Sequence, residues 1–97
     1  MLQKIRYVGD HMKIIKIGAI WCPGCLVMKK TWKNILEKYP DLDITDLDMD
    51  MNSEEAKKYN PGKVLPVIIF LKDNKELERL VGEQKETDLI NIIEKYK

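Results

Sequence analysis

The sequence predicts an α/β fold in which a central mixed sheet of four to five strands is flanked by about three helices. Short apolar runs alternate with longer segments whose apolar residues recur every three or four positions, which is the mark of strands and amphipathic helices in turn. The 97 residues contain no internal repeat and no Pro-, Gly- or Ser-rich linker, so a single domain over residues 1–97 is expected. The resulting order, (β)-β-α-β-α-β-β-α, places a sheet core between layers of helix.

The first predicted strands precede a cysteine motif. Ile5 and Tyr7 fit a short strand that Gly9-Asp10 ends with a turn. Lys13 to Ile20 is short and rich in isoleucine, which predicts a second strand.

A helix is predicted after the motif, ending at Pro40. Its apolar stripe is formed by Met28, Trp32, Ile35, Leu36 and Tyr39. A strand follows, and its predicted apolar face comprises Ile44, Leu47, Met49 and Met51. Asn52 and Glu55 then have the spacing of a capping box, which predicts a short helix through Tyr59.

The C-terminal part predicts a hairpin and a last helix. Val67 to Leu71 is continuously apolar, as in a strand buried on both faces. Asp73-Asn74 supplies a hairpin turn into a strand over Leu77 to Val81. Gly82 breaks the chain, and Thr87 to Tyr96 has the apolar spacing of an amphipathic helix.

The charge balance argues against two classes of partner. Seventeen Lys and Arg against sixteen Asp and Glu leave a net charge of +1, which gives no support to nucleic-acid or anionic-membrane binding. The longest apolar run, Val64 to Leu71, is far shorter than a membrane span, and no signal peptide is recognisable. We therefore expect a cytoplasmic protein, a monomer without nucleic-acid or membrane partners.

The two cysteines, Cys22 and Cys25, form a C-x-x-C pair between a predicted strand and a predicted helix. Thiol–disulfide exchange needs one thiolate to attack and a second thiol close by to resolve the mixed disulfide. Cys22 at the helix start would be favoured as a thiolate by free backbone N–H groups, and Pro23 suits the first helical position. Gly24 would let a partner approach, and Cys25, one turn into the helix, is expected to be the more buried, resolving thiol.

Metal binding explains the same residues less well. Tetrahedral zinc takes four ligands, and the chain offers only the two cysteines and His11. The run Asp46-x-Asp48-x-Asp50 lacks the glycine and glutamate that an EF-hand loop would place after it, and is interpreted as the polar face of a strand. No metal and no cofactor are expected.

Three segments together resemble the thioredoxin family: Ile17 to Cys25 (IGAIWCPGC), Val64 to Phe70 (VLPVIIF) and Leu80 to Gly82 (LVG). The resemblance implies the thioredoxin fold, with Pro66 in the cis form facing the two sulfurs. It also implies a thiol–disulfide oxidoreductase that reduces disulfide-containing protein substrates and is reset by an external reductase. The shallow substrate groove that it implies is formed by Trp21, Pro23, Gly24, Leu65 and Gly82.

The sequence also departs from the family pattern. The N-terminal strand and helix of full-length thioredoxins are missing, the motif has Pro-Gly where thioredoxins carry the reverse order, and Val67 stands where threonine is usual. These departures leave the reduction potential and the electron donor open. A different class, a non-catalytic module that binds peptides by strand addition beside Pro66, remains the alternative.

One departure concerns charge beneath the cysteines. Where thioredoxins usually carry a buried aspartate, six residues before the first cysteine, this chain has Lys16. The family's usual lysine on the following strand aligns with Asp46. We therefore expect Lys16 and Asp46 to pair with exchanged charges and to act as a charge or proton relay, the alternative being that Lys16 points to solvent.

Overall fold

The computed structural model describes residues 12–96. The predicted strand at Ile5 and Tyr7, the turn at Gly9-Asp10, and His11 lie outside the described residues.

The described strands form one four-stranded mixed sheet in the order β2-β1-β3-β4. They are β1 (Met12–Gly18), β2 (Asp43–Asp48), β3 (Val67–Lys72) and β4 (Lys75–Val81). β1 runs parallel to β2 and antiparallel to β3, and β3 and β4 form a hairpin. The sheet thus has the predicted mixed character.

Helices cover the sheet as the element order predicts. They are α1 (Pro23–Val27), α2 (Lys29–Lys38), α3 (Ser53–Lys57) and α4 (Glu86–Tyr96). The single helix predicted after the motif is divided at Met28, whose φ of −81° and ψ of −2° interrupt the regular helix. None of the helices in this part of the chain is long and apolar enough to cross a membrane.

The central strands carry two apolar cores, one on each face of the sheet. Ile14 and Phe70 point toward α2 and α4, where they pack with Trp32 and Ile35. The opposite face is buried under the segment around α3, and its core consists of Ile15, Ile17, Leu47, Ala56, Val67 and Ile69. This two-sided burial explains why β1 and the start of β3 are almost wholly apolar.

The structure corrects the predicted apolar face of β2. Ile44 packs with the α2 side of the core while Leu47 is buried on the other side, because residues separated by an odd number point to opposite faces of a strand. The strand ends at Asp48, and Met51 lies in the following turn with most of its surface exposed.

The predicted capping box is also wrong. The side chain of Asn52 makes no capping hydrogen bond to α3. Its Oδ1 instead accepts the N–H of Asp48 at 3.0 Å, while Asp48 Oδ1 accepts the N–H groups of Asp50 and Met51. The polar residues therefore stabilise the tight turn after β2 rather than the helix start.

Strand order brings the functional segments to one edge. The C-terminal ends of the parallel strands β1 and β2 and the beginning of the antiparallel β3 lie side by side, with Gly18 opposite Asp48 and Ile17 opposite Val67. The cysteine motif follows β1 and Pro66 precedes β3, so both lie at this edge.

Two isoleucines provide a matched test of the core. Ile69 is fully buried and Ile20 is largely exposed. We expect Ile69→Ala to lower the free energy of unfolding by about 2–5 kcal/mol, because it removes buried methyl groups and leaves a cavity. Ile20→Ala should change it by less than about 0.5 kcal/mol. Urea denaturation of both variants measures the difference, and equal losses would contradict the two-sided core.

Candidate active site at the cysteine motif

A turn between β1 and α1 fixes the first cysteine. The N–H of Cys22 donates to the carbonyl of Ala19 at 3.1 Å, and Cys22 then occupies the N-cap of α1 in an extended conformation. Pro23 follows at the first helical position, where its missing N–H costs nothing. The sequence therefore places the Cys22 side chain at the end of the helix that has unsatisfied N–H groups.

The Cys22 sulfur is the side-chain cap of this helix. It accepts the backbone N–H of Cys25 at 3.2 Å, as an oxygen does at an ordinary N-cap. Cys22 thereby satisfies one of the free N–H groups of the first turn of α1 with its own side chain.

The relative burial of the two cysteines is the reverse of the prediction. Cys22 is only 2% exposed, whereas Cys25 is partly exposed. Cys22 is buried because its sulfur turns inward to cap α1. Cys25 stays accessible because its sulfur lies over Gly18, which has no side chain to cover it: a Cβ added to Gly18 would stand 2.8 Å from that sulfur.

The surroundings of Cys25 keep it protonated. Partial burial, followed by the hydrogen bond with the Cys22 side chain, raises the pKa of the Cys25 thiol from 9.0 to about 11. The Ala19 backbone and the Lys16 ammonium act in the opposite direction and lower this pKa, but less strongly. At pH 7 only about one Cys25 side chain in ten thousand is a thiolate. Cys25 is therefore suited to follow another nucleophile rather than to attack first.

Pro66 lies against the motif. The Leu65–Pro66 peptide bond is cis, as the resemblance implies. Gly24 faces this segment, since a Cβ on Gly24 would lie 3.3 Å from Pro66 Cδ and 3.8 Å from the Leu65 carbonyl oxygen. The Pro66 carbonyl accepts the N–H of Gly82 at 2.8 Å. Four of the predicted groove and site residues are thus brought together.

Trp21 and Pro23 flank Cys22 and are exposed. The indole Nε1 of Trp21 donates to Asp50 Oδ2 at 2.9 Å, a contact that the sequence did not reveal. The interpretation of Asp50 as part of a strand face concealed it, because the turn after Asp48 is what directs Asp50 toward the motif.

Lys16 and Asp46 form an ion pair with 3.1 Å between Lys16 Nζ and Asp46 Oδ1. The Lys16 ammonium also lies 4.8 Å from the centre of the Trp32 ring. The Lys16 side chain is 20% exposed, but that of Asp46 is 75% exposed, so the pair is not buried as the exchange of charges suggested. A pair this open to water contributes about 0.2–1 kcal/mol rather than the amount expected of a buried pair.

Metal ligands are not grouped at this edge. Over residues 12–96, no cluster of three or more His, Cys, Asp or Glu side chains has an arrangement that could hold a metal ion.

Comparisons with known proteins give a consistent result. The family model "Thioredoxin" matches residues 3–95. Thioredoxin H5 of Oryza sativa is 33% identical over 81 residues, which are 81% of this chain and 59% of the rice protein. Thioredoxin of Ophiophagus hannah is 28% identical over 91% of this chain and 82% of its own length. The chain thus spans less than two thirds of the rice relative but most of the snake one.

Solved structures agree with the fold. The structure is similar to Fasciola hepatica thioredoxin, with a TM-score of 0.82 at 27% identity, covering 99% of this chain and 90% of that one. It is also similar to thioredoxin NaTrxh of Nicotiana alata, with a TM-score of 0.83 at 28% identity over 99% of this chain and 83% of that one.

A methyl group on Gly18 should displace the Cys25 sulfur. In Gly18→Ala the new Cβ cannot remain 2.8 Å from that sulfur, so the thiol must rotate away from its position beside Cys22. We expect slower closure of the Cys22–Cys25 disulfide after attack on a substrate, measured by rapid quenching with acid. A closure rate equal to that of the wild type would show that the Gly18 contact does not position the thiol.

Removal of the Lys16 charge should raise the pKa of Cys25 further. The ammonium favours the thiolate of Cys25, so its loss in Lys16→Met disfavours the charged form. Alkylation of Cys25 in a Cys22→Ser background at about pH 9 should therefore be slower with Lys16→Met. Lys13→Met in the same strand is the control and should leave the rate unchanged. Equal alkylation rates in the two variants would show that the Lys16 ammonium does not affect the ionisation of Cys25.

Proposed function

The chain belongs to the thioredoxin family, and from this we propose that it reduces disulfide bonds in proteins through Cys22 and Cys25. One observation carries the assignment of roles: the Cys22 sulfur accepts the Cys25 amide at the start of α1, while the pKa of Cys25 is raised to about 11. Attack requires a thiolate, so Cys22 is the nucleophile although it is the less exposed of the two.

The first step joins the protein to its substrate. The Cys22 thiolate attacks one sulfur of the substrate disulfide, that disulfide breaks, and the electron pair leaves on the other substrate sulfur. The product is a mixed disulfide between Cys22 and the substrate. We propose that the substrate docks on a surface formed by Trp21 and Pro23, which are exposed on either side of Cys22, and by the segment Leu65–Pro66 with Gly82.

The second step releases the substrate. Cys25 loses its proton to solvent and attacks the Cys22 sulfur, which expels the remaining substrate thiolate and leaves a Cys22–Cys25 disulfide. The Lys16 ammonium favours the Cys25 thiolate at this stage, and Asp46 holds the ammonium in place. The balance is the reduction of one substrate disulfide by two electrons and the oxidation of one dithiol.

An external reductase must restore the dithiol after each turnover. Proteins with accessible disulfides are the proposed substrates, and the protein acts as a monomeric electron donor to them. A reducing compartment such as the cytoplasm suits this role, because there the dithiol form is regenerated. The alternative of a non-catalytic peptide-binding module gains no support, since both thiols are present at the edge of the sheet beside Pro66.

Single-cysteine variants test the roles. We expect Cys22→Ser to abolish the reduction of insulin by dithiothreitol above the uncatalysed rate, because the nucleophile is missing. Cys25→Ser should also fail to turn over, but should accumulate a mixed disulfide on Cys22 that mass spectrometry detects. Accumulation of a stable substrate adduct on Cys25 of the Cys22→Ser variant instead would reverse the two roles.

A further inference from the structure

The turn after β4 is held firmly against Pro66. The Gly82 N–H donates to the Pro66 carbonyl at 2.8 Å, and the φ of +89° that Gly82 adopts is one that glycine reaches without strain. The side-chain Nε2 of Gln84 donates to the carbonyls of Val81 and Gly82, each at 3.2 Å. Glu83 lies between these two anchored residues, so its backbone is fixed at the border of the proposed docking surface.

Glu83 lies beside the cysteine motif. From the place that a Cβ on Gly24 would occupy, Glu83 Cβ is 3.8 Å away, the Leu65 carbonyl oxygen is 3.8 Å away and Pro66 Cδ is 3.3 Å away. Glu83 and the segment Leu65–Pro66 therefore surround the same point above α1. A substrate whose disulfide reaches the motif across this surface passes close to the Glu83 side chain.

The Glu83 carboxylate is available to a partner. The residue is exposed, and over residues 12–96 its carboxylate forms neither a hydrogen bond nor an ion pair. Asp50, by contrast, already accepts the indole N–H of Trp21. Glu83 therefore places a carboxylate beside the motif that no other group of the described chain engages.

The charge of Glu83 is separate from the ionisation of the resolving thiol. The pKa of Cys25 is raised by burial and by the Cys22 side chain, and it is lowered by the Ala19 backbone and the Lys16 ammonium. Glu83 is not among these groups. Its carboxylate is thus placed to act on what docks beside the motif rather than on Cys25 itself.

We propose that Glu83 is a specificity-determining residue that selects protein disulfides flanked by a lysine or an arginine. The inference rests on the proposed function, because it names the class of disulfide that the same docking surface takes. A lysine ammonium or an arginine guanidinium near the attacked cysteine would donate a charge-assisted hydrogen bond to the Glu83 carboxylate. Such a contact would hold the substrate while Cys22 attacks.

The overall charge of the protein favours the opposite preference. The chain has a net charge of +1, and Lys29 and Lys30 are exposed at the start of α2. The long-range field of a positive protein attracts acidic partners rather than basic ones. A preference for basic substrates must therefore come from a carboxylate at short range, so the direction of the preference is itself informative.

The test compares three peptides that contain the same intramolecular disulfide, flanked by Lys, Gln or Glu. Each is mixed with the reduced protein, and the second-order rate constant is measured by quenching with acid. A nearby charge also alters the reactivity of the peptide disulfide itself. Each rate constant is therefore divided by the one that dithiothreitol alone gives with the same peptide.

We expect the Lys peptide to react about two- to fivefold faster than the Gln peptide, as an exposed ion pair allows. The Glu peptide should be the slowest of the three. Equal normalised rate constants, or a preference for the Glu peptide, would overturn the proposal.

Matched variants assign the preference to one carboxylate. Glu83→Gln removes the charge, Glu83→Lys reverses it, and Glu37→Gln changes the net charge as Glu83→Gln does, at an exposed position near the far end of α2. The preference should be lost in Glu83→Gln, reversed in Glu83→Lys and kept in Glu37→Gln. Equal losses in the two Gln variants would show a general effect of charge, and a preference that persists in Glu83→Gln would belong to another carboxylate. Either result overturns the role of Glu83.

Salt provides a readout that a merely structural role of Glu83 would not change. The Debye length falls to about 3 Å at 1 M ionic strength, so exposed charges then interact weakly. The ratio of the Lys-peptide to the Gln-peptide rate constant should approach one in 1 M sodium chloride. A ratio that salt leaves unchanged would show that the shape of the peptide rather than its charge is recognised, which would refute the proposal.

Insulin reduction separates the two levels of the proposal. The same protein is assayed with insulin and dithiothreitol. Reduction of insulin without a preference among the three peptides refutes the role of Glu83 alone. Failure to reduce insulin and all three peptides above the uncatalysed rate refutes the proposed function, and the role of Glu83 with it.

Discussion

The hydrogen bond from the Cys25 amide to the Cys22 sulfur organises the whole site. It makes a cysteine the cap of α1 and turns that sulfur inward, toward the residue with which it would form a disulfide. The remaining features support this contact. β1 ends at Gly18 so that the chain can turn, Pro23 begins the helix, and Gly24 lets the motif approach Pro66.

The surroundings of the two cysteines, rather than their exposure, consequently assign their roles in thiol–disulfide exchange. Cys22 is buried with its sulfur against the Cys25 amide, whereas Cys25 is partly exposed and its raised pKa keeps it a neutral thiol. The attacking thiol Cys22 and the resolving thiol Cys25 need these different environments, because Cys25 should react only after the mixed disulfide has formed. The Lys16 ammonium lowers the pKa of Cys25. This effect is modest because the Lys16–Asp46 pair is exposed to water.

The sequence was sufficient for the fold and the reacting pair because both depend on local patterns. Alternating apolar segments predicted the sheet and helices, and the C-x-x-C between strand and helix predicted the site. The relative burial of the cysteines could not be predicted in this way, because it depends on a tertiary approach of Cys25 to Gly18. The hydrogen bond from the Trp21 indole to the Asp50 carboxylate was missed for a similar reason. The alternating aspartates have the pattern of a strand, and only the turn after Asp48 directs Asp50 toward the motif.

We propose that the buried Cys22, not the more accessible Cys25, is the thiol that reacts first. Competition for a limiting amount of iodoacetamide at about pH 7, followed by peptide mapping of the reduced wild-type protein, tests it most directly. Both thiols are then present in one molecule under identical conditions, and alkylation consumes only the thiolate. Nearly all label is expected on Cys22. Label predominantly on Cys25 would show that exposure decides which thiol reacts first and that Cys22 is not the nucleophile.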